Sequence, residues 1–365
     1  MSADRTIKIG FTHGDINGIS YELILKTFSD ARMTELCTPV VYGSSKIAAY
    51  HRKALEMPLL NMSAVSRAED AGAGRINMIN CTNDEIKVEL SKATDVAVNA
   101  AICSLEAAVK DLKRGAIQAL VTTPVSSRLM NNDGYPSHSE YLSRHAGPNA
   151  SPLTILSARA LRIALLSEYV PLADALSQIT FENLLDKLLV FDRSLKQDFR
   201  IVKPRIALLS PNPKAGQRWD NVEEQRVLIP VIEEASKRNL MCFGPYATDA
   251  IFGSQMYEKF DGIMAMYHDQ GLTPFKTLFA GQGIYCTAGL PLIHTSPSHG
   301  AAYDIAGRNV ASIDSFLQAI YAAIDIYRNR ISYKEAGANP LRKQYFDKGS
   351  VDESVDLTRE DDVSL

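Results

Sequence analysis

Apolar runs separated by short polar turns recur along the chain, and their period switches between two and about 3.6, so strands alternate with helices. Thr6–His13 alternates as a strand, and Gly14–Gly18 is punctuated as a turn. Ile19, Leu23, Ile24 and the positions up to Phe28 fall at helical spacing, with Asn17 as the expected N-cap. The pattern repeats with a strand at Pro39–Gly43, a helix over Ser45–Glu56, a short strand near Ile76–Ile79 and a long helix over Asp95–Lys113. That helix carries Ala101, Leu105, Ala108 and Leu112 on one face. Further strands are expected at Gln118–Thr123, Leu153–Leu156, Arg162–Leu166, Arg205–Leu209 and Phe260–Met266, and Phe243–Asp249 reads as a short extended piece. Helices are expected over Phe181–Phe199, Val222–Lys237, Ala301–Gly307 and Ser312–Arg328. The alternation predicts an α/β layered architecture with mainly parallel strands.

At 365 residues the chain exceeds one ordinary core, so two domains or one large α/β unit are expected. The composition, 46% hydrophobic and 22% charged, is that of a globular protein. A net charge of −3 supplies no basic field for nucleic acid. No apolar run approaches the ~20 residues that span a bilayer, and Met1–Arg5 precedes no apolar leader. Cys37, Cys81, Cys103, Cys242 and Cys286 are scattered singly, the pattern of reduced thiols in a cytoplasmic protein. From Gly349 onward six acids face one base, Arg359, which predicts a solvated, flexible tail.

Candidate chemistry gathers where strands end. His268, Asp269 and Gln270 leave the apolar run that ends near Met266, with Gly271 read as a turn residue and Lys276 just beyond. In an α/β sheet, ligands bind outside the carboxyl ends of the strands. His138 precedes a short helix, where free N–H groups favour an anion. The loop Ser210–Gly216 is heavily punctuated, and Asp249 brings another carboxylate. The strand, Gly14–Gly18 turn and helix resemble a phosphate-cradling opening but lack GxGxxG and the lysine of a P-loop, so the nucleotide motif is weak and a tight βα turn before a capped helix reads equally well.

Six blocks carry a specific resemblance: Gly14-Asp-Ile-Asn-Gly-Ile19, His138-Ser-Glu-Tyr141, Asn212-Pro-Lys-Ala-Gly216, Gly244-Pro-Tyr-Ala-Thr-Asp249, Met266-Tyr-His-Asp-Gln-Gly-Leu272, and Thr287-Ala-Gly-Leu-Pro291 with Thr295 to Gly307. Together, from Ile7 to about Tyr327, the chain resembles the family of 4-hydroxythreonine-4-phosphate dehydrogenases. The resemblance implies two α/β/α-layer domains around a cleft, isocitrate/isopropylmalate dehydrogenase-like and not Rossmann. It divides the chain into 1–125 plus 285–340 on the cofactor side, 126–284 with dimerisation and metal/substrate loops, and an acidic tail over 341–365. It also implies a homodimer with a shared active site, acting without nucleic acid or membrane partners. The activity it implies is NAD-dependent oxidation, then decarboxylation, of a small phosphorylated hydroxy acid in pyridoxal phosphate (vitamin B6) biosynthesis, with a divalent metal (Zn, Mg or Co). Carried over by position, Asp249, Asp269 and His268 are catalytic, and His138, Ser139, Lys276, His294 and Tyr285 bind substrate. His299, Gly300, Asp304 and Gly307 bind the cofactor, and His268 is a metal ligand.

Departures from the family pattern concentrate at the same loops. Its metal is held by three histidines, and the matching positions here are Glu168, Lys214 and His268. A protonated lysine has no lone pair to give a metal. Tyr285 replaces asparagine, His294 replaces arginine and Ser139 replaces threonine. Ser127 stands where a lysine is expected, and a glycine-rich run is shortened to Gln217–Asp220. Charge compensation predicts that Glu168 and Lys214 pair, with the ammonium in the former metal position. Two alternatives accompany the dehydrogenase reading: a catalytically impaired paralog that keeps the fold and ligand pocket, and a dehydrogenase for another phosphorylated hydroxy acid.

Overall fold

Lys8–Thr12 (β1) and Thr38–Gly43 (β2) are buried almost throughout, as strands covered on both faces must be. They pair in parallel, with Ile9 opposite Pro39 and Phe11 opposite Val41. The structure, a computed structural model, describes residues 6–82, 86–126, 137–147, 150–215 and 223–338. The expectations for Ser127, Gln217–Asp220 and the acidic tail lie outside these residues.

The other strands are Met62–Ala64 (β3), Ile76–Asn80 (β4), Ala119–Val121 (β5), Leu153–Ala158 (β6), Leu161–Leu165 (β7), Arg205–Leu209 (β8), Met241–Tyr246 (β9), Gly262–Ala265 (β10), Ile284–Ala288 (β11) and His294–Pro297 (β12). Among the described residues they form a twelve-stranded sheet in the order β3-β4-β2-β1-β5-β12-β11-β6-β7-β10-β8-β9. Both wings are parallel, as the alternation of periods predicts. The middle is antiparallel: β11 pairs with β12 and with β6, and β6 forms a hairpin with β7.

The helices are Ser20–Phe28 (α1), Met33–Leu36 (α2), Ser45–Ala54 (α3), Asp95–Lys113 (α4), His138–Ala146 (α5), Leu172–Ala175 (α6), Phe181–Gln197 (α7), Ile229–Lys237 (α8), Thr248–Gly253 (α9), His268–Leu278 (α10) and Asp314–Ala338 (α11). A π-helical turn over Glu224–Leu228 leads into α8. Thr94 starts α4 by accepting from the Ala97 N–H at 3.2 Å, and Thr180 starts α7 by accepting from that of Asn183 at 3.2 Å. The core joins both chain ends. Phe11 on β1 meets the Phe28 ring of α1 edge-on at 5.1 Å and the Phe316 ring of α11 at 5.9 Å. Replacing such a buried ring by alanine costs about 3–5 kcal/mol.

Several local expectations are corrected. Asn17 does not cap α1; Ile19 occupies the cap position without a side-chain bond. Asn17 instead donates to Lys92 O (2.9 Å) and Thr94 Oγ1 (3.0 Å) and accepts from Glu89 N (2.8 Å), tying the first loop to the start of α4. Residues 301–307 form turns rather than a helix, and the last helix runs on to Ala338. Asp249 lies in the first turn of α9, beyond the extended piece that became β9. Gly271 is helical, not a turn residue. A Cβ there would lie 2.6 Å from Leu165 and 3.2 Å from the Ala265 Cβ, so the glycine lets α10 sit directly on β7 and β10.

Candidate active site

The segments leaving the C-terminal ends of β5 and β12 face the first residues of α5, and together they wall a cleft of about 520 Å³. That volume suits a small-molecule ligand. Thr123–Ser126 and Ser296–Tyr303 form one side; Ser137, His138, Tyr169, Lys276 and Tyr285 converge from α5, the segment after β7, α10 and β11. Five residues singled out from the sequence therefore share one cavity: His138, Lys276, Tyr285, His299 and Gly300. A groove between α4 and α5 is comparable in size, but its Arg114 is spent on Glu69 and Asp111.

The first loop buttresses the cleft from behind. Asp15 N–H and Ser20 Oγ both donate to Pro124 O, at 3.0 and 2.8 Å, fixing the Thr123–Ser126 wall. Ile19 N–H donates to Ala301 O at 3.1 Å, and Gly18 is needed there because a Cβ would approach that oxygen to 2.5 Å. The Tyr303 hydroxyl donates to Asp15 Oδ2 in a very short contact, while Oδ1 accepts from Asn17 N–H at 2.8 Å. Burial raises the Asp15 carboxyl above its ordinary value, and these donors oppose the shift. The wall so held is strained, since Ala302 adopts φ 45°. Asp15 carries no signal of its own in the sequence, because its partner Tyr303 lies far along the chain.

Behind His138 lies a polar layer. The rings of His138 and His294 approach to 5.7 Å. His294 lies outside the cleft lining: its Nε2 bonds Thr122 Oγ1 at 2.9 Å and its Nδ1 bonds Thr287 Oγ1 at 2.8 Å. Burial holds it well below the ordinary histidine range, so it is a neutral group whose ring nitrogens are both taken by threonine hydroxyls. His138 is pushed down to about 4 by burial and is likewise neutral near neutral pH. Ser139 is buried as well, and its Oγ is spent on Ser137 Oγ (2.7 Å) and Glu168 Oε2 (3.2 Å). Neither Ser139 nor His294 lines the cleft.

The stretch around His268 divides its labour. His268 Nδ1 shares a 2.7 Å hydrogen bond with Asp269 Oδ1 at the N-terminus of α10, and its ring meets Tyr169 at the cleft edge, 5.7 Å away. Asp269 is 81% exposed. Gln270 is buried: its Oε1 accepts from Met266 N–H at 2.7 Å, and its Nε2 donates to Ser210 O (2.7 Å) and Thr248 Oγ1 (2.9 Å). It braces three segments instead of facing ligand. Lys276 follows two turns later on the cleft side of α10. Asp249, His268, Asp269, Asp304 and Gly307 stand outside the cleft lining. Missed from sequence were Thr123, Ser126, Ser137, Tyr169, Ser296, Ser298 and Tyr303; most are small hydroxyl residues in loops, with no motif signal of their own.

Two groups implied by the resemblance can be weighed against these residues. A dinucleotide fits: His299 Nε2 is buried without a partner among the described residues, Gly300 has open space where a Cβ would stand, and both line the cleft. For a divalent metal, one chain holds only part of the site that the resemblance implies, which is shared with a partner subunit. Lys214 lies exposed in a left-handed turn, φ 54°, with no lone pair to offer. The Glu168 oxygens accept from Thr154 N–H and Ser139 Oγ, both at 3.2 Å. The expected Glu168–Lys214 pair is not formed within the chain; the cation whose field reaches Glu168 is Lys187. No three His, Cys, Asp or Glu side chains among the described residues are grouped to hold a metal.

Comparisons with known proteins bear on this geometry. Residues 35–323 match the family model described as pyridoxal phosphate biosynthetic protein PdxA. The 4-hydroxythreonine-4-phosphate dehydrogenase of Bacteroides thetaiotaomicron is 48% identical, over 98% of this chain and 99% of its own length. That of a Sulfurihydrogenibium species is 34% identical, over 89% of this chain and 99% of its own. The crystal structure of the Klebsiella pneumoniae enzyme of that name superposes with a TM-score of 0.74 at 26% identity, covering 88% of this chain and 99% of the other. No helix among the described residues is long and apolar enough to cross a membrane.

Proposed function

This chain belongs to the pyridoxal phosphate biosynthetic protein PdxA family, and from that premise we propose that it is a dehydrogenase oxidising the secondary hydroxyl of a 4-hydroxythreonine 4-phosphate-like substrate with NAD. The observation that supports this most directly is the convergence of His138, Lys276, Tyr285, His299 and Gly300 on one cleft. The reading takes residues 1–125 with 285–340 as the cofactor side and 126–284 as the side bearing the substrate loops. His299 and Gly300 would hold the dinucleotide, which when bound supplies the hydride acceptor.

The side chains divide the remaining work by charge. His138 is neutral, so the substrate phosphate falls to the Lys276 ammonium, with hydroxyl donors such as Ser126 and Ser298 around it. Burial raises the phenol of Tyr285, keeping it protonated as a donor to the oxygen that becomes a carbonyl and then an enol, and the Tyr169 hydroxyl lines the same cleft. His268, oriented by Asp269 and in ring contact with Tyr169 at the cleft edge, would take the hydroxyl proton on Nε2. The electrons balance: the carbinol hydrogen leaves as hydride, the hydroxyl proton goes to His268, and the β-keto acid then releases carbon dioxide.

The reading includes a homodimer. Tyr169 (56% exposed), Leu172 (61%) and Leu176 (45%) make an apolar edge beside the cleft that a second copy would cover. The test is NADH formation from 4-hydroxythreonine 4-phosphate by the purified chain. Turnover that Lys276→Met weakens through KM supports the reading. Binding of substrate and NAD without turnover supports the impaired-paralog alternative, and turnover confined to another phosphorylated hydroxy acid supports the third.

A further inference from the structure

We infer that the face of the sheet turned away from the cleft carries a second small-molecule site, and that it takes a free amino acid with an apolar side chain. Register places the site. Arg162 on β7 lies opposite Ser157 on β6, which lies opposite Ile284 on β11, so the three form one row across the sheet. Neighbouring residues of a strand point to opposite faces, and the next one along β11, Tyr285, lines the cleft. The row lines a cavity of about 270 Å³ together with Phe199 and with Gln318, Tyr321 and Asp325 of α11. These last three recur at intervals of three and four residues, which is one face of a helix. The volume lies just under the ~300–1,000 Å³ of drug-sized pockets, so the occupant is a molecule as small as a single amino acid.

The charges of the lining choose the ligand. Arg159 and Arg162 both reach the cavity, and neither forms an ion pair among the described residues. Arg159 donates to Gln282 Oε1 at 3.2 Å and Arg162 to Ala160 O at 3.0 Å. The Arg162 guanidinium lies over the Phe199 ring, 4.6 Å from its centroid, and its Nε is buried without a partner. A buried donor in that state is unfavourable until a ligand supplies an acceptor. Other carboxylates nearby are engaged: Asp261, whose field reaches Arg162, accepts from Arg205 N–H at 2.8 Å, and Asp198 pairs with Arg330 at 2.6 Å. Asp325 is exposed and forms no ion pair among the described residues. A guanidinium fork selects a planar carboxylate, and a free carboxylate in the same cavity selects an ammonium. Asp325 would repel a plain anion such as phosphate, whereas a zwitterion satisfies both signs. Phe199, Ile284 and Ala322 leave an apolar wall for its side chain.

The test titrates valine, leucine and methionine into the full chain by calorimetry. Isocaproate (leucine without its ammonium) and isoamylamine (leucine without its carboxylate) are the matched probes. At least one amino acid should bind as a single saturable event, and both truncated probes should bind about tenfold or more weakly than leucine. Arg162→Lys keeps the charge but loses the fork, and should weaken binding about tenfold. Arg159→Gln and Asp325→Asn change exposed side chains, so both should fold as wild type, and each should weaken binding severalfold. Absence of saturable binding by all three amino acids overturns the inference. So does unchanged affinity in both Arg159→Gln and Asp325→Asn, or isocaproate binding as tightly as leucine. The readout is binding, not turnover, so it decides this site whichever substrate the cleft takes.

Discussion

Mild acid should weaken this fold through two histidines remote from the cleft surface. His13 and His51 flank the Tyr21 ring, with centroids 5.5 and 5.0 Å away, and both are essentially inaccessible. His13 Nε2 pairs with Ala100 O at 3.0 Å and His51 Nε2 with Ile16 O at 2.8 Å. Burial pushes each from 6.5 down to about 4. The unfolded chain therefore takes up these protons as pH falls through about 6.5, while the folded chain refuses them until about 4, so stability is lost across that window. Near pH 5 the difference is about 2 kcal/mol per histidine, or about 4 for the pair. That is a large share of the 5–15 kcal/mol typical of a domain. Burial lowers His138, His294 and His299 too, so the wild-type loss should exceed the pair's share. His51→Gln isolates one contribution, because the amide can still donate to Ile16 O but cannot titrate. Urea unfolding followed by circular dichroism near pH 7 and pH 5 reads the effect. The variant should lose about 2 kcal/mol less than wild type between the two conditions. Equal losses in the two proteins would refute the reasoning.

Three further outcomes test the architecture of the cleft. Tyr303→Phe leaves Asp15 buried without its phenol donor, so ligand affinity should drop by about 1–3 kcal/mol; Asp15→Asn, which keeps an acceptor, should cost less than Asp15→Ala in the same calorimetric titration. Gln270→Ala orphans Met266 N–H and Ser210 O together, and chemical unfolding should show a loss of about 2–4 kcal/mol although no ligand contact is removed. Lys276→Met changes a largely exposed side chain, so its melting temperature should stay within about 2 °C of wild type. Its KM for a phosphorylated substrate should nevertheless rise about tenfold or more, as expected for a lost charge-assisted contact.

The parallel wings were legible because βα alternation forces them: strands such as Gly262–Ala265 are continuous apolar runs, and the helices between them carry one apolar face. The antiparallel middle was not legible. β6 and β7 are separated by Arg159 and Ala160 alone, and Arg159 adopts φ 51°, a conformation no sequence rule assigns to arginine. The place of Lys276 at the cleft could be read because a charged group just past a buried strand has few structural uses there. Gln270 sits in the same motif yet serves as a brace, because a carboxamide can satisfy backbone donors and acceptors at once.

The residues that leave the expected loops without lining the cleft share one physical cause. Position in a motif reports which loop a side chain leaves, but burial decides whether it reaches ligand. Ser139 and His294 leave the expected segments and turn inward to polar partners, whereas Tyr303, unremarked in the sequence, turns outward because Asp15 holds it. Glu168 shows the same logic at its sharpest. Its side chain accepts from Thr154 N–H and Ser139 Oγ and does not line the cleft. Removing it would leave two buried donors short of an acceptor, at about 1–3 kcal/mol each. The scaffold thus uses Glu168 as an internal strut between β6 and the first turn of α5.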